Sequence, residues 1–181
     1  MPTVFISPSS QEYNPYIIGG NEEYYMNLIA DAMVPYLRAS GIDFTRNNPG
    51  NTLSQIIAQS NAGNYDLHLA LHSNASPESI AGTLQGPDVY YYAYSSPGQA
   101  VANIIANNLK VIYPNPNLVA VIPNTTLAEL RNTRAVAALV ELAYHDNHED
   151  AIWISDNIDS IARNLVLAVT EYFGVPFVSP S

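Results

Sequence analysis

Two spacings of apolar residues take turns along this chain. Leu28, Ile29, Ala32, Met33 and Leu37 recur at helical spacing, and Leu53, Ile56, Ile57 and Ala58 do so again. Between such segments stand short apolar runs without helical period. Leu69–Ala70–Leu71 and the run over 135–144 have the length of buried strands. This pattern predicts strands over 2–6, 42–45, 66–72, 88–94, 118–122 and 135–144. It predicts helices over 21–40, 52–62, 97–112 and 155–173, with one helical turn at 126–131.

Punctuation supports these bounds. Asn21 can cap the first helix, with Glu22 and Glu23 in the first turn where the helix dipole favours acids. Pro35 inside that helix predicts a kink or a weak last turn. Gly63 stands just past the second helix, and Ser155 or Asp156 can cap the last. Strands alternating with helices predict an α/β fold, a three-layer sandwich with a mostly parallel sheet of about six strands. No internal repeat or linker divides the chain. It reads as one domain over 1–174 and an extended Pro/Ser-rich tail over 175–181.

Composition narrows the partners. With 16 acidic and 6 basic residues the formal net charge is -10, and the basic residues do not cluster. Nucleic acid and anionic membrane both demand clustered cations and are not expected as partners. Cysteine is absent, which removes thiolate nucleophiles and cysteine-based zinc sites. Residues 1–8 are too short and uncharged for a signal peptide, so work outside a cell would need a trimmed leader or a non-standard route.

Candidate chemistry lies where strands end. The stretch LALHSNA closes a buried strand on His72, Ser73 and Asn74. Ligands bind beyond such strand ends in open α/β sheets. Glu141 sits among apolar residues in AALVELAY, where an unpaired carboxylate would cost several kcal/mol, roughly. Glu23 opens a helix. These three could hold and use a metal-bound water, against the alternatives of a solvated first-turn acid and a structural histidine. His68 lies about 13 Å from His72 along a strand, too far to share a metal. HDNH at 145–148 reads as a metal cluster or as a polar loop.

Taken together and in order, these motifs make the chain resemble the zinc-dependent N-acetylmuramoyl-L-alanine amidases of the type 3 family. That family occurs in cell-wall hydrolases, spore-germination enzymes and phage endolysins. The matching residues are HSNA at 72–75, EYYMN at 23–27, and VELAYHDN at 140–147 with LRNTRAVAALVE before it. The resemblance implies zinc held by Glu23 and His72, with Glu141 as general base on a zinc-bound water. The substrate implied is peptidoglycan, cut between N-acetylmuramic acid and L-alanine, and the location implied is extracellular or in the cell wall.

One departure stands out. The family opens with Asp-Pro-Gly-His-Gly, whose histidine is the first zinc ligand, whereas this chain has SPSSQ with Ser10 at that place. A third ligand could come from Gln11 or from His145, or the site could bind metal weakly or not at all. Asn14, Asn74 and Arg134 are the candidate substrate contacts. Two other functions stay open: a non-catalytic wall-binding module of amidase descent, and another zinc peptidase on a related scaffold.

Overall fold

The computed structural model describes all 181 residues. The chain runs β1 (Thr3–Pro8), α1 (Glu22–Ala39), β2 (Asp43–Arg46), α2 (Leu53–Ala62), β3 (Leu67–Asn74), β4 (Asp88–Tyr92), α3 (Ser96–Ile112), β5 (Ala120–Asn124), α4 (Ala128–Arg131), β6 (Val136–Tyr144), α5 (His148–Asp156) and α6 (Ile158–Phe173). The six strands form one sheet in the order β2-β1-β3-β6-β4-β5. Pairing is parallel except between β4 and β6. Helices cover both faces, so the three-layer α/β sandwich expected from the alternation is the fold.

Strand parity divides the residues between the two faces. Val4 and Ile6 of β1, Leu67, Leu69 and Leu71 of β3, and Ala138, Val140 and Leu142 of β6 all point to one side. There they join buried residues of α1, α3 and α6 in a core of 35 residues. The other side carries a cluster of only four buried hydrophobic residues, Ala70, Leu130, Ala137 and Leu139. It lies under the short helices α2 and α4. Ser7, His68, His72 and Glu141 belong to this thinner side by the same parity.

Local signals set several element bounds. The Asn21 side chain accepts from the Tyr24 N–H and starts α1, and Thr52 with Gln55 forms a reciprocal capping box at α2. Pro35 does not break α1, which runs on to Ala39. One helix was not anticipated. HDNH is the polar loop and not a metal cluster: residues 145–147 turn the chain between β6 and α5, and Asn147 caps α5, accepting from the Asp150 N–H. Asn157 then separates α5 from α6, so the last helix starts at Ile158 and is capped by neither Ser155 nor Asp156. The residues after Gly174 pack back on the domain. Phe177 stacks on Tyr36 with ring centroids 5.9 Å apart, and the Val178 N–H donates to Ser40 Oγ.

Candidate active site

β1, β3 and β6 bring their polar ends to one cleft of about 310 Å³ on the thinner face. Ser9, Ser10 and Gln11 after β1 line it, together with His72, Glu129 and Glu141, and Tyr13, Leu53 and Leu127 form an apolar rim. His72 and Glu141 are cross-strand partners in the β3–β6 pair. Side chains of such partners emerge next to each other, which is why two residues 69 positions apart share the floor.

His72 is clamped between two carboxylates. Its Nδ1 lies 3.0 Å from Glu22 Oε1 and its Nε2 lies 3.0 Å from Glu129 Oε2. Both acids are otherwise surrounded by donors. Glu22 accepts from the Ser73 N–H and from Asn14 Nδ2. Glu129 Oε1 accepts from Ser7 Oγ at 2.5 Å and lies 3.0 Å from His68 Nε2, whose ring meets Ser60 Oγ through Nδ1 at 2.9 Å. Burial opposes charge on His72, but the hydrogen bonds to Glu129 and Glu22 outweigh it and raise its pKa to about 10. Burial likewise opposes ionisation of Glu129 and Glu22. The histidines beside Glu129, and His72 with Asn14 beside Glu22, hold both acids below the ordinary range. The result is an imidazolium with both N–H groups donating to carboxylates.

Glu141 is in the opposite condition. Its Oε2 is buried and has no hydrogen-bond partner. Burial raises its pKa to about 7; repulsion from Glu22, Asp88 and Glu129 adds to this, and the charge on His72 works against it. A carboxyl with a free oxygen on a cleft floor, titrating near neutrality, is suited to taking and returning a proton.

The other expected site residues divide. Gln11 lines the cleft, but its Oε1 accepts from Asn14 Nδ2, which also donates to Glu22. Asn14 therefore supports Glu22 from behind. Glu23 is not beside His72. The adjacent Glu22 is, at 1% exposure, while Glu23 faces an open groove with Tyr24, Asn27 and Asp31. Neighbouring helix positions differ by about 100°, so a shift of one residue changes the face.

His145 also leaves the site. Strand parity would place it with Glu141, but β6 carries one extra residue against β3 between the pairs His72–Glu141 and Asn74–Tyr144. Ala143 sits there with φ of 73°, and both Leu142 and Ala143 turn into the large core. This bulge reverses the parity beyond it. His145 lands on the other side, where Nδ1 meets Ser73 Oγ and the ring stacks on Tyr16. Asn74 bonds the Ala75 N–H, and Arg134 stands before β6, at the opposite end of the sheet, bonded to Asn61. Neither reaches the cleft.

The sequence reading passed over Glu22, Glu129, Ser7 and His68. Glu129 carried the signal that singled out Glu141, an acid between apolar neighbours in LAEL.

A catalytic zinc takes three protein donors and keeps one position open. Of the expected set His72 and Gln11 line the cleft, with Glu22 in place of Glu23, and the Gln11 Oε1 is engaged by Asn14. No three imidazole or carboxylate donors converge on one point. Both nitrogens of His72 are already engaged by carboxylates. The donor set does not fit a zinc ion.

Comparison with known proteins places the fold and motifs. Residues 4–171 match the N-acetylmuramoyl-L-alanine amidase family, and the chain belongs to that family. Its structure is similar to the amidase AmiC2 of Nostoc punctiforme, with TM-score 0.83, 18% identity, and coverage of 96% of this chain and 97% of that one. It is also similar to the catalytic domain of the CD27L endolysin targeting Clostridia difficile, with TM-score 0.77, 22% identity, and coverage of 94% and 98%. The amidase CwlV of Bacillus (Paenibacillus) polymyxa gives TM-score 0.79 at 18% identity, covering 97% of this chain and 100% of its own catalytic domain. No curated protein matches in sequence. No helix of the chain is long and apolar enough to cross a membrane.

Proposed function

We propose that this chain hydrolyses the amide bond between N-acetylmuramic acid and L-alanine in peptidoglycan, with Glu141 taking the proton of the attacking water. Family membership supports the substrate class. The observation that carries the reading is the unpartnered Oε2 of Glu141 on the cleft floor, with its pKa raised to about 7. A catalytic base works best when its pKa lies near the operating pH. Glu141 would return the proton to the amine that leaves with L-alanine. The hydroxyls of Ser9 and Ser10 line the same cleft and can donate to the developing oxyanion. The zinc that the family implies would supply a water of lowered pKa and a polarised carbonyl. Since the donors here do not complete its site, no step is assigned to it.

The test is release of new amino termini from purified peptidoglycan by the wild type and by Glu141→Gln. The reading expects release that the substitution abolishes. Equal rates in the two proteins overturn it. A second reading is favoured by the engaged state of His72: a module that binds the wall without cutting it. Sedimentation with peptidoglycan and no release by the wild type would support that one. The working place that fits either reading is outside the cell or in the cell wall, including release during phage lysis or sporulation.

A further inference from the structure

We infer that this chain holds no resident zinc, and that Glu129 acts as a positioning residue which, with Glu22, fixes the His72 ring in the way a metal would. The inference does not depend on whether the cleft cuts or only binds peptidoglycan. It rests on three observations. The position expected to give the first imidazole ligand is Ser10, which lines the cleft with a hydroxyl. A neutral hydroxyl is a poor substitute for an imidazole among zinc ligands. The two alternative donors are committed elsewhere, Gln11 to Asn14 and His145 to Ser73. Finally, Nδ1 and Nε2 of His72 each face a carboxylate at 3.0 Å, on opposite sides of the ring. A metal on either nitrogen would have to displace one of these bonds and would find no third donor.

Glu129 is well built for this role. It lies on the four-residue helix α4, is 4% exposed, and ties together β1 through Ser7 and β3 through both His68 and His72. His68 thereby acquires a role that a lone buried histidine would lack. It braces the carboxylate from behind, while its own far nitrogen meets Ser60. The chain has exchanged a metal centre for a buried network of hydrogen bonds, in which every polar atom of Glu22, Glu129 and the His72 ring is partnered.

The experiment is a calorimetric titration with zinc chloride after chelator treatment, on the wild type, Ser10→His and Gln11→His. The wild type should show no saturable binding. An imidazole restored at 10 or 11 should give zinc binding at least about tenfold tighter, since losing even an outer-shell partner costs a metal site 10- to 100-fold. One zinc per wild-type chain, lost in His72→Asn, overturns the inference. Failure of both histidine variants to gain zinc, with circular dichroism showing them folded, overturns the donor-count explanation. For Glu129, the imidazole signals of His72 in NMR spectra should broaden or double in Glu129→Gln. Unchanged signals remove its positioning role.

Discussion

The two faces of the sheet are built on opposite terms. Beneath α1, α3 and α6 lies a continuous apolar layer in which Val4, Ile6, Leu67, Leu69, Leu71 and Val140 are fully buried. Beneath α2 and α4 the apolar cluster shrinks to four residues, with Phe5, Ile56 and Ile57 buried apart from it. The space is taken by the network of Ser7, Ser60, His68, His72 and Glu129. The first face gains stability from area removed from water, which is insensitive to direction. The second depends on aligned donors and acceptors, whose net contribution is small when complete and whose loss is costly when one partner is removed. One face can thus carry the fold while the other holds costly polar groups in fixed positions for chemistry.

That contrast can be broken at several points. The largest effect is expected from Glu141→Gln, which should lower hydrolysis by about 10²- to 10⁴-fold. Its melting temperature at pH 8 should not fall, because the substitution removes a carboxyl whose buried charge has no partner. A stability loss matching the activity loss would show that Glu141 is structural.

Next come Glu129→Gln and Leu69→Ala, one from each face. The first should cost about 3 kcal/mol, because a buried carboxylate leaves two histidines behind. The second should cost about 2–5 kcal/mol through lost burial and the cavity left behind. Denaturant melts at several pH values separate them. The Leu69→Ala deficit should be flat with pH. The Glu129→Gln deficit should peak between about pH 4.5 and 6.5. Below that window the depressed pKa of Glu129 is approached and its contribution fades. Above it the contribution of His72, whose pKa is raised to about 10, is progressively lost. A flat deficit for both variants would erase the distinction between the faces.

A milder test is the pH dependence of hydrolysis by the wild type. Activity needs ionised Glu141 and should rise through about pH 7 to a plateau. A midpoint near the ordinary glutamate value would place the base elsewhere. The smallest effect should come from Asn21→Ala at the cap of α1, about 1 kcal/mol by thermal melting. Hydrolysis should fall no further than the loss of folded protein, because packing of Met26, Ile29 and Met33, not the cap, points Glu22 at His72.

Much of the fold was legible in the apolar spacing. The alternation of strands and helices, the Asn21 cap and the run around Glu141 each followed from local chemistry. That His72 and Glu141 meet at one cleft was legible because strand ends and costly buried acids are visible without a partner. Residues whose roles depend on phase or register were not found. EEYY offers two acids, and packing of the α1 face that buries Met26, Ile29 and Met33 chooses Glu22, which lies on the same face. His145 follows strand parity in the sequence, but the bulge at Ala143 reverses it. Nothing in AELR announces that its acid will meet His72 from a segment 57 residues away.

The sequence by itself determined the layered α/β architecture and the serine at position 10, because these reside in residue type and local spacing. Only the tertiary structure decided which side chains surround His72. Glu22, Glu129 and His68 join one network around His72 through the phase of α1, the position of α4 and the pairing of β1 with β3, and each of these is set by packing over the whole sheet.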